Sequence, residues 1–356
     1  MAYSNIKDPS EHFQAHTYTG TAGIHDVALG GNSDMQPDLV WFKNRTVGYS
    51  HQLYDSTRGT TKALFPDGVN AETTVSNGLT QFQSDGFRVT SAAAVNENAM
   101  VCWNWKANGG TTTSFSESGN NPGGTRQTNS TAGFSIISYT GTGGPGNIAH
   151  GLPSAPEWII FKNRGTTNVW AAWHQALGDD LKIVLNGNDA KDADGSFMNS
   201  TLPDATNIRV GDSNNPNTNA DAGTYICYAW SPIQGYSKFG SYTGNGSGTD
   251  GPFVYTGFAP AWVMIRNADN VNGRNWYIYD SKRKSVNPNG TVIRADTDGA
   301  EITDQAIDVL SNGFKVRPSS IGSYGTSNIN HSGQKILYMA FAENPFVAGG
   351  VPTTAR

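Results

Sequence analysis

The residues that could do chemistry are few and widely spaced. The run Asn188-Asp-Ala-Lys-Asp-Ala-Asp-Gly195 offers hard carboxylate oxygens of the kind Ca²⁺ takes. Its spacing departs from an EF-hand loop, no bidentate Glu follows at the right distance, and it reads as a solvated acidic loop. His12 and His16 would share a face only on a helix, and their segment has no helical pattern. Cys102 and Cys227 each sit in an apolar run, as buried structural thiols do, and two cysteines are too few for a disulfide scaffold. No Gly-x-Ser-x-Gly elbow, Cys-x-x-Cys, His-Glu-x-x-His, P-loop or dinucleotide fingerprint occurs. A glycosidase pair of carboxylates would leave no local motif. Nothing in the polar residues points to a single cleft, so the sequence predicts no enzyme, no cofactor and no metal.

One pair of charged residues stands out because it recurs. Asp55 and Arg58, in Leu53-Tyr-Asp-Ser-Thr-Arg-Gly59, match Asp280 and Arg283, in Tyr279-Asp-Ser-Lys-Arg283. Between them, the same register reaches His174 and Leu177, so carboxylate and guanidinium vanish together. Joint loss predicts that the two groups compensate one another, directly or through a network with Lys43 or Arg266.

The elements that position these pairs also recur. Tyr18-Thr-Gly-Thr, Tyr139-Thr-Gly-Thr and Tyr242-Thr-Gly-Asn each run a strand into a turn. Pro37-Asp-Leu-Val-Trp-Phe-Lys-Asn-Arg45, Pro156-Glu-Trp-Ile-Ile-Phe-Lys-Asn-Arg164 and Pro260-Ala-Trp-Val-Met-Ile-Arg-Asn-Ala268 follow at matching offsets. Closing strands at Val101 to Trp105, Ile226 to Trp230 and Leu337 to Phe341 complete three units. Asp-Gly before Phe87 and Asn-Gly before Phe314 are hairpin-turn signals, and the middle unit lacks its counterpart. In the second anchor, Leu39, Trp158 and Trp262 share one face with Trp41, Ile160 and Met264. The alternate residues are apolar too, which predicts a strand covered on both sides.

Composition agrees with short strands and many turns. The 356 residues include 42 Gly and 16 Pro, yet also 9 Trp, 14 Tyr and 15 Phe that must be buried. The expected fold is all-β: three tandem β-sandwich, jelly-roll-like repeats of about 100 residues each. Their expected limits are 1–107, 132–233 and 234–347, with a flexible Gly/Thr/Ser-rich linker at 108–131 and a tail at 348–356. The net charge of −5, with no basic cluster, predicts no nucleic-acid partner. No signal segment or membrane span is apparent.

At these motifs the chain resembles a family of tailed-phage virion proteins. The recurring units Tyr-Thr-Gly-Asn-Gly-Ser, Pro-Asp-Leu-Val-Trp-x-Lys-Asn-Arg, Tyr-Asp-Ser-x-Arg-Gly and Ser-Asp-Gly-Phe carry the likeness. The opening Asp8-Pro-Ser-Glu-His-Phe13 and the ending Ala342-Glu-Asn-Pro-Phe-Val347 and Pro352-Thr-Thr-Ala-Arg356 extend it over nearly the whole chain. The resemblance implies a virion component made in the host cytoplasm, first of all a tail-fibre-type protein contributing to host-surface recognition, with a purely structural capsid-decorating or adaptor part as the alternative. It implies other virion proteins as partners, a homo-oligomer with a trimer favoured, and no catalytic residues. A tail-fibre role would add host cell-surface polysaccharide as ligand, and a depolymerising spike is the remotest alternative.

Recognition is expected in segments that differ among the units: 109–131, 178–200 and 211–223. Phe115 and Phe197 are their aromatics, and Asp192, Asp194 and Asn199 are polar neighbours suited to sugar hydroxyls.

Overall fold

Runs of Val, Ile, Trp and Phe that are apolar on both faces form strands here because each face has its own cover. The computed structural model describes residues 4–211, 214–269, 274–317 and 328–345, and the backbone of Val347–Ala348 and Val351–Pro352. The expected tail lies largely outside the described residues. The first unit builds its inner sheet from β1 (Phe13–Thr19), β2 (Leu39–Asn44), β3 (Gln52–Asp55) and β4 (Ala99–Trp105). A further strand, β5 (Gly123–Asn129), precedes β6 (Phe134–Thr140), β7 (Trp158–Asn163), β8 (Trp170–His174) and β9 (Thr224–Trp230) of the second. The third contributes β10 (Ser237–Thr243), β11 (Phe258–Asn267), β12 (Tyr277–Asp280) and β13 (Lys335–Pro345).

All three inner sheets are antiparallel with one order: β1-β4-β2-β3, β6-β9-β7-β8 and β10-β13-β11-β12. Registers correspond, Leu39 facing Asp55, Trp158 facing His174 and Trp262 facing Asp280. An outer layer of long-range antiparallel pairs backs each sheet: His25–Val27 on Phe87–Val89, Gly146–Ala149 on Asn207–Val210, and Phe253–Tyr255 on Gly313–Arg317. In the first unit Leu79–Phe82 turns back onto Phe87–Val89 through Gly86, whose φ is 92° and where a Cβ would lie 1.9 Å from the Val27 carbonyl oxygen.

The outward face of each sheet packs on its own outer layer. Val40 and Phe42, Ile159 and Phe161, and Val263 and Ile265 belong to three separate outer cores. The inward residues Leu39 and Trp41, Trp158 and Ile160, and Trp262 and Met264 join one common core. There Trp105 meets Trp230, Trp262 and Phe341 at centroid distances of 6.1, 5.8 and 5.7 Å. Burying one such aromatic contributes about 2–3 kcal/mol, so the units share their largest stabilising term.

The segment 108–131 is not a flexible linker. Thr113–Phe115 and β5 pair antiparallel, and β5 continues the second sheet beyond β6. Its polar residues satisfy their backbone groups in a ladder rather than in water.

Candidate functional site

Each unit leans on another through the motif at the end of its second strand. Lys43, Lys162 and Arg266 are equivalent, and all three are buried. Lys43 Nζ donates to the Asp298 carbonyl at 2.7 Å, Lys162 Nζ to the Val69 carbonyl at 2.9 Å, and Arg266 to the Asp189 carbonyl. The first unit therefore reaches the third, the second the first, and the third the second. Burial lowers the two lysines to about 8 and Arg266 to about 10.

Two further contacts follow the same cycle. The Glu301, Glu72 and Lys191 amides donate to the carbonyls of Arg45, Arg164 and Ala268 at 2.9, 2.9 and 2.8 Å. Beside them lie ion pairs: Arg45–Glu301 at 2.8 Å, Arg164–Glu72 at 2.9 Å, and Asp269–Lys191. The third interface carries a pair of opposite sign order, its acid one position further along, at Asp269. At the start of β3, β8 and β12, the equivalent residues His51, Trp170 and Trp276 donate from Nε2, Nε1 and Nε1 to the carbonyls of Arg294, Phe65 and Val184. The three interfaces close a ring within one chain.

The predicted charge pairs sit beside these struts, fully buried. Arg58 Nε lies 2.5 Å from Asp55 Oδ2, and Arg283 Nε 2.5 Å from Asp280 Oδ2. Their shared network runs not through Lys43 or Arg266 but through Glu72, 3.0 Å from Arg58, and Glu301, 3.2 Å from Arg283. Burial opposes the Arg58 charge, yet Asp55, Tyr228 and Glu72 outweigh it and raise its pKa. Each aspartate also accepts from a neighbouring unit: Asp55 from the Tyr228 hydroxyl at 2.6 Å, Asp280 from Trp103 Nε1 at 3.0 Å. The equivalent of Tyr228 and Trp103 is Met339, which has no donor, and it faces the unit that carries His174 instead of Asp. Carboxylate, guanidinium and donor are lost together. His174 instead accepts the Ala176 amide on Nδ1 at 3.0 Å and donates from Nε2 to the Tyr338 carbonyl at 3.3 Å. Burial lowers its pKa to about 3.

The expected recognition loop is differently built. Phe197 is 1% exposed and packs edge-on to Phe161 at 5.6 Å, plugging the second unit's outer core. Asp192 and Asp194 both pair with Lys182, at 2.8 and 2.9 Å, and Asn215 also bonds Asp194. Asn199 is exposed with φ 54°. Phe115 is half-buried on the added hairpin, 5.9 Å from the Arg126 guanidinium, and packs against the rim of the same outer core that Phe197 fills. These residues do not form one sugar platform. Among the described residues the exposed large aromatics are Phe253 and Tyr255, each 48% exposed on one face of an outer strand. The sequence signal for them was alternation alone.

Among the described residues no group of three or more His, Cys, Asp and Glu could hold a metal ion, and no helix is long and apolar enough to cross a membrane. Cys102 and Cys227 are free and buried, and burial pushes the Cys102 thiol up to about 12. Fold and contacts thus define an all-β protein whose three sheets interlock around one aromatic core. The chain belongs to the family described as Domain of unknown function (DUF7483), which matches residues 8–345. No curated protein and no solved structure matches it.

Proposed function

We propose that the protein is a structural component of a tailed-phage virion, acting as a compact attached part, a capsid-decorating or appendage-adapting piece. The motif resemblance supplies the class, and one observation carries the choice within it: the variable loop expected to recognise a ligand buries its aromatic and ties two of its acids to Lys182. A ring of interlocked sheets with a shared core suits a part that must keep its shape outside a cell. One chain supplies three similar outer layers, so a threefold-like surface toward other virion proteins needs no trimer. Host polysaccharide recognition is the second reading, favoured by the exposed Phe253 and Tyr255. Electron cryo-microscopy of the particle tests the choice. The structural role predicts density on the capsid or at an appendage base, with adsorption unchanged by the double substitution Phe253→Ala and Tyr255→Ala. Density at a distal fibre tip, or adsorption lost in that variant, would establish the recognition role instead.

A further inference from the structure

The three inner sheets differ at one edge. Among the described residues, β6 is covered by β5, whereas β1 and β10 are the edge strands of their sheets. Each of these strands faces the end of the preceding unit's third strand, at Ser56, Gln175 or Ser281. These three residues are equivalent, their amides donating to the carbonyls of Asp38, Glu157 and Ala261 at 2.9, 2.9 and 2.8 Å.

Where β5 fills the space, its Gln127 pairs with Ile136, and Gln127 Nε2 donates to Ser56 Oγ at 2.9 Å and Thr57 Oγ1 at 2.7 Å. Where no strand lies over β10, Gln175 itself reaches across and donates to the Phe239 carbonyl at 3.1 Å. At the third place neither occurs. Ser281 is 4% exposed and its buried Oγ has no hydrogen-bond partner among the described residues. It borders a cleft of about 360 Å³ whose opposite wall is Phe13, Gln14 and Ala15 of β1. Gly20 N donates to Asn98 O and Lys106 N to His12 O, so the even residues of β1 bond β4. The backbone groups of Phe13, Ala15 and Thr17 therefore turn toward the open side.

We propose that this cleft is a strand-docking site for an extended segment of a partner protein, laid antiparallel on β1 as β5 is laid on β6. Opposite Ala15 the segment carries Gln, whose amide donates to Ser281 Oγ. Two positions beyond Gln127, toward the start of β5, the chain is Thr125 and then Gly124, where a Cβ would lie 2.1 Å from the Ser138 carbonyl oxygen. The docked segment therefore carries Gly opposite Tyr18, the equivalent of Tyr139. Main-chain pairing supplies affinity and the Gln and Gly positions supply selectivity.

The test appends a copy of residues 120–131 to the N-terminus of the full chain through a flexible Gly/Ser linker, giving an effective concentration in the millimolar range. Amide hydrogen exchange is then read at Ala15 and Thr17. The proposal predicts exchange slowed at least about tenfold, with the slowing reversed when the Gln of the appended copy is changed to Ala, and reversed again by Ser281→Ala. Unchanged exchange in the fusion would overturn the docking site. Slowing that survives both substitutions would overturn the Gln–Ser281 contact. If the unfused chain dimerises, and Ala15→Pro abolishes the dimer, the cleft belongs to a second copy rather than to a partner protein.

Discussion

At the scale of single residues, the buried charges form closed sets rather than isolated pairs. Arg58 is held by Asp55, Glu72 and two carbonyls, and Asp55 is also held by Tyr228. Removing one charged member strands the other in the interior, so Asp55→Ala or Arg58→Ala should each cost about 3–5 kcal/mol and the double variant clearly less than their sum. Urea denaturation of the cycle measures this, and small, additive shifts would refute the coupling. The buried histidines make a second prediction. His51, His150 and His174 each accept on Nδ1, from Trp41, Leu152 and Ala176, so each is held neutral with its proton on Nε2. Burial lowers all three. For His174 the folded value of about 3 lies below the ordinary 6.5, so the unfolded chain takes up the proton first. Stability is complete above about 6.5 and falls as the pH drops toward 3, by about 1.4 kcal/mol per pH unit for this residue. His174→Gln should flatten that slope between pH 6 and 4, and an unchanged slope would show that His174 titrates alike in both states.

At the scale of elements, three interfaces made by largely equivalent residues hold the sheets together, but not with equal strength. Glu72 serves the fully buried Arg58 as well as Arg164, whereas Lys191 and Asp269 remain partly exposed. Glu72→Ala should therefore lower stability by about 3 kcal/mol, and Lys191→Ala by under about 1 kcal/mol. Exchanging the charges through Lys191→Glu with Asp269→Arg keeps an ion pair there with the sign order of the other two interfaces. The double variant should melt near the parent, above either single variant. Much of this layer was legible. The recurring anchors give the strands of the inner sheets, and their two apolar columns foretell two covered faces. What covers them was not legible, because Lys43, Lys162 and Arg266 reach backbone carbonyls, which carry no sequence signature. The added hairpin was hidden for a related reason: Gly, Thr and Asn at an edge look like linker residues until a ladder claims their backbone. Phe197, flanked by Asp, Gly, Ser and Asn, looked exposed because turn chemistry surrounds a side chain that turns inward.

At the scale of the whole molecule, the shared core ties the fate of each unit to the others. An isolated segment of residues 132–233 would expose Trp158, Ile160, Tyr228 and Trp230, all now buried in the common core. Such a patch favours association over a folded monomer, so this piece should be unfolded or aggregated by near-ultraviolet circular dichroism and sedimentation. A sharply folded, monomeric piece would mean that the units are independent sandwiches. Scanning calorimetry of the full chain puts the same claim most directly. An interlocked ring predicts one transition with equal calorimetric and van't Hoff enthalpies, on the order of 250 kcal/mol near 60 °C. A core substitution in any one unit, such as Trp105→Leu, should shift that transition as a whole. Two or three separable transitions, with Trp105→Leu moving only the one that belongs to residues 4–107, would contradict it.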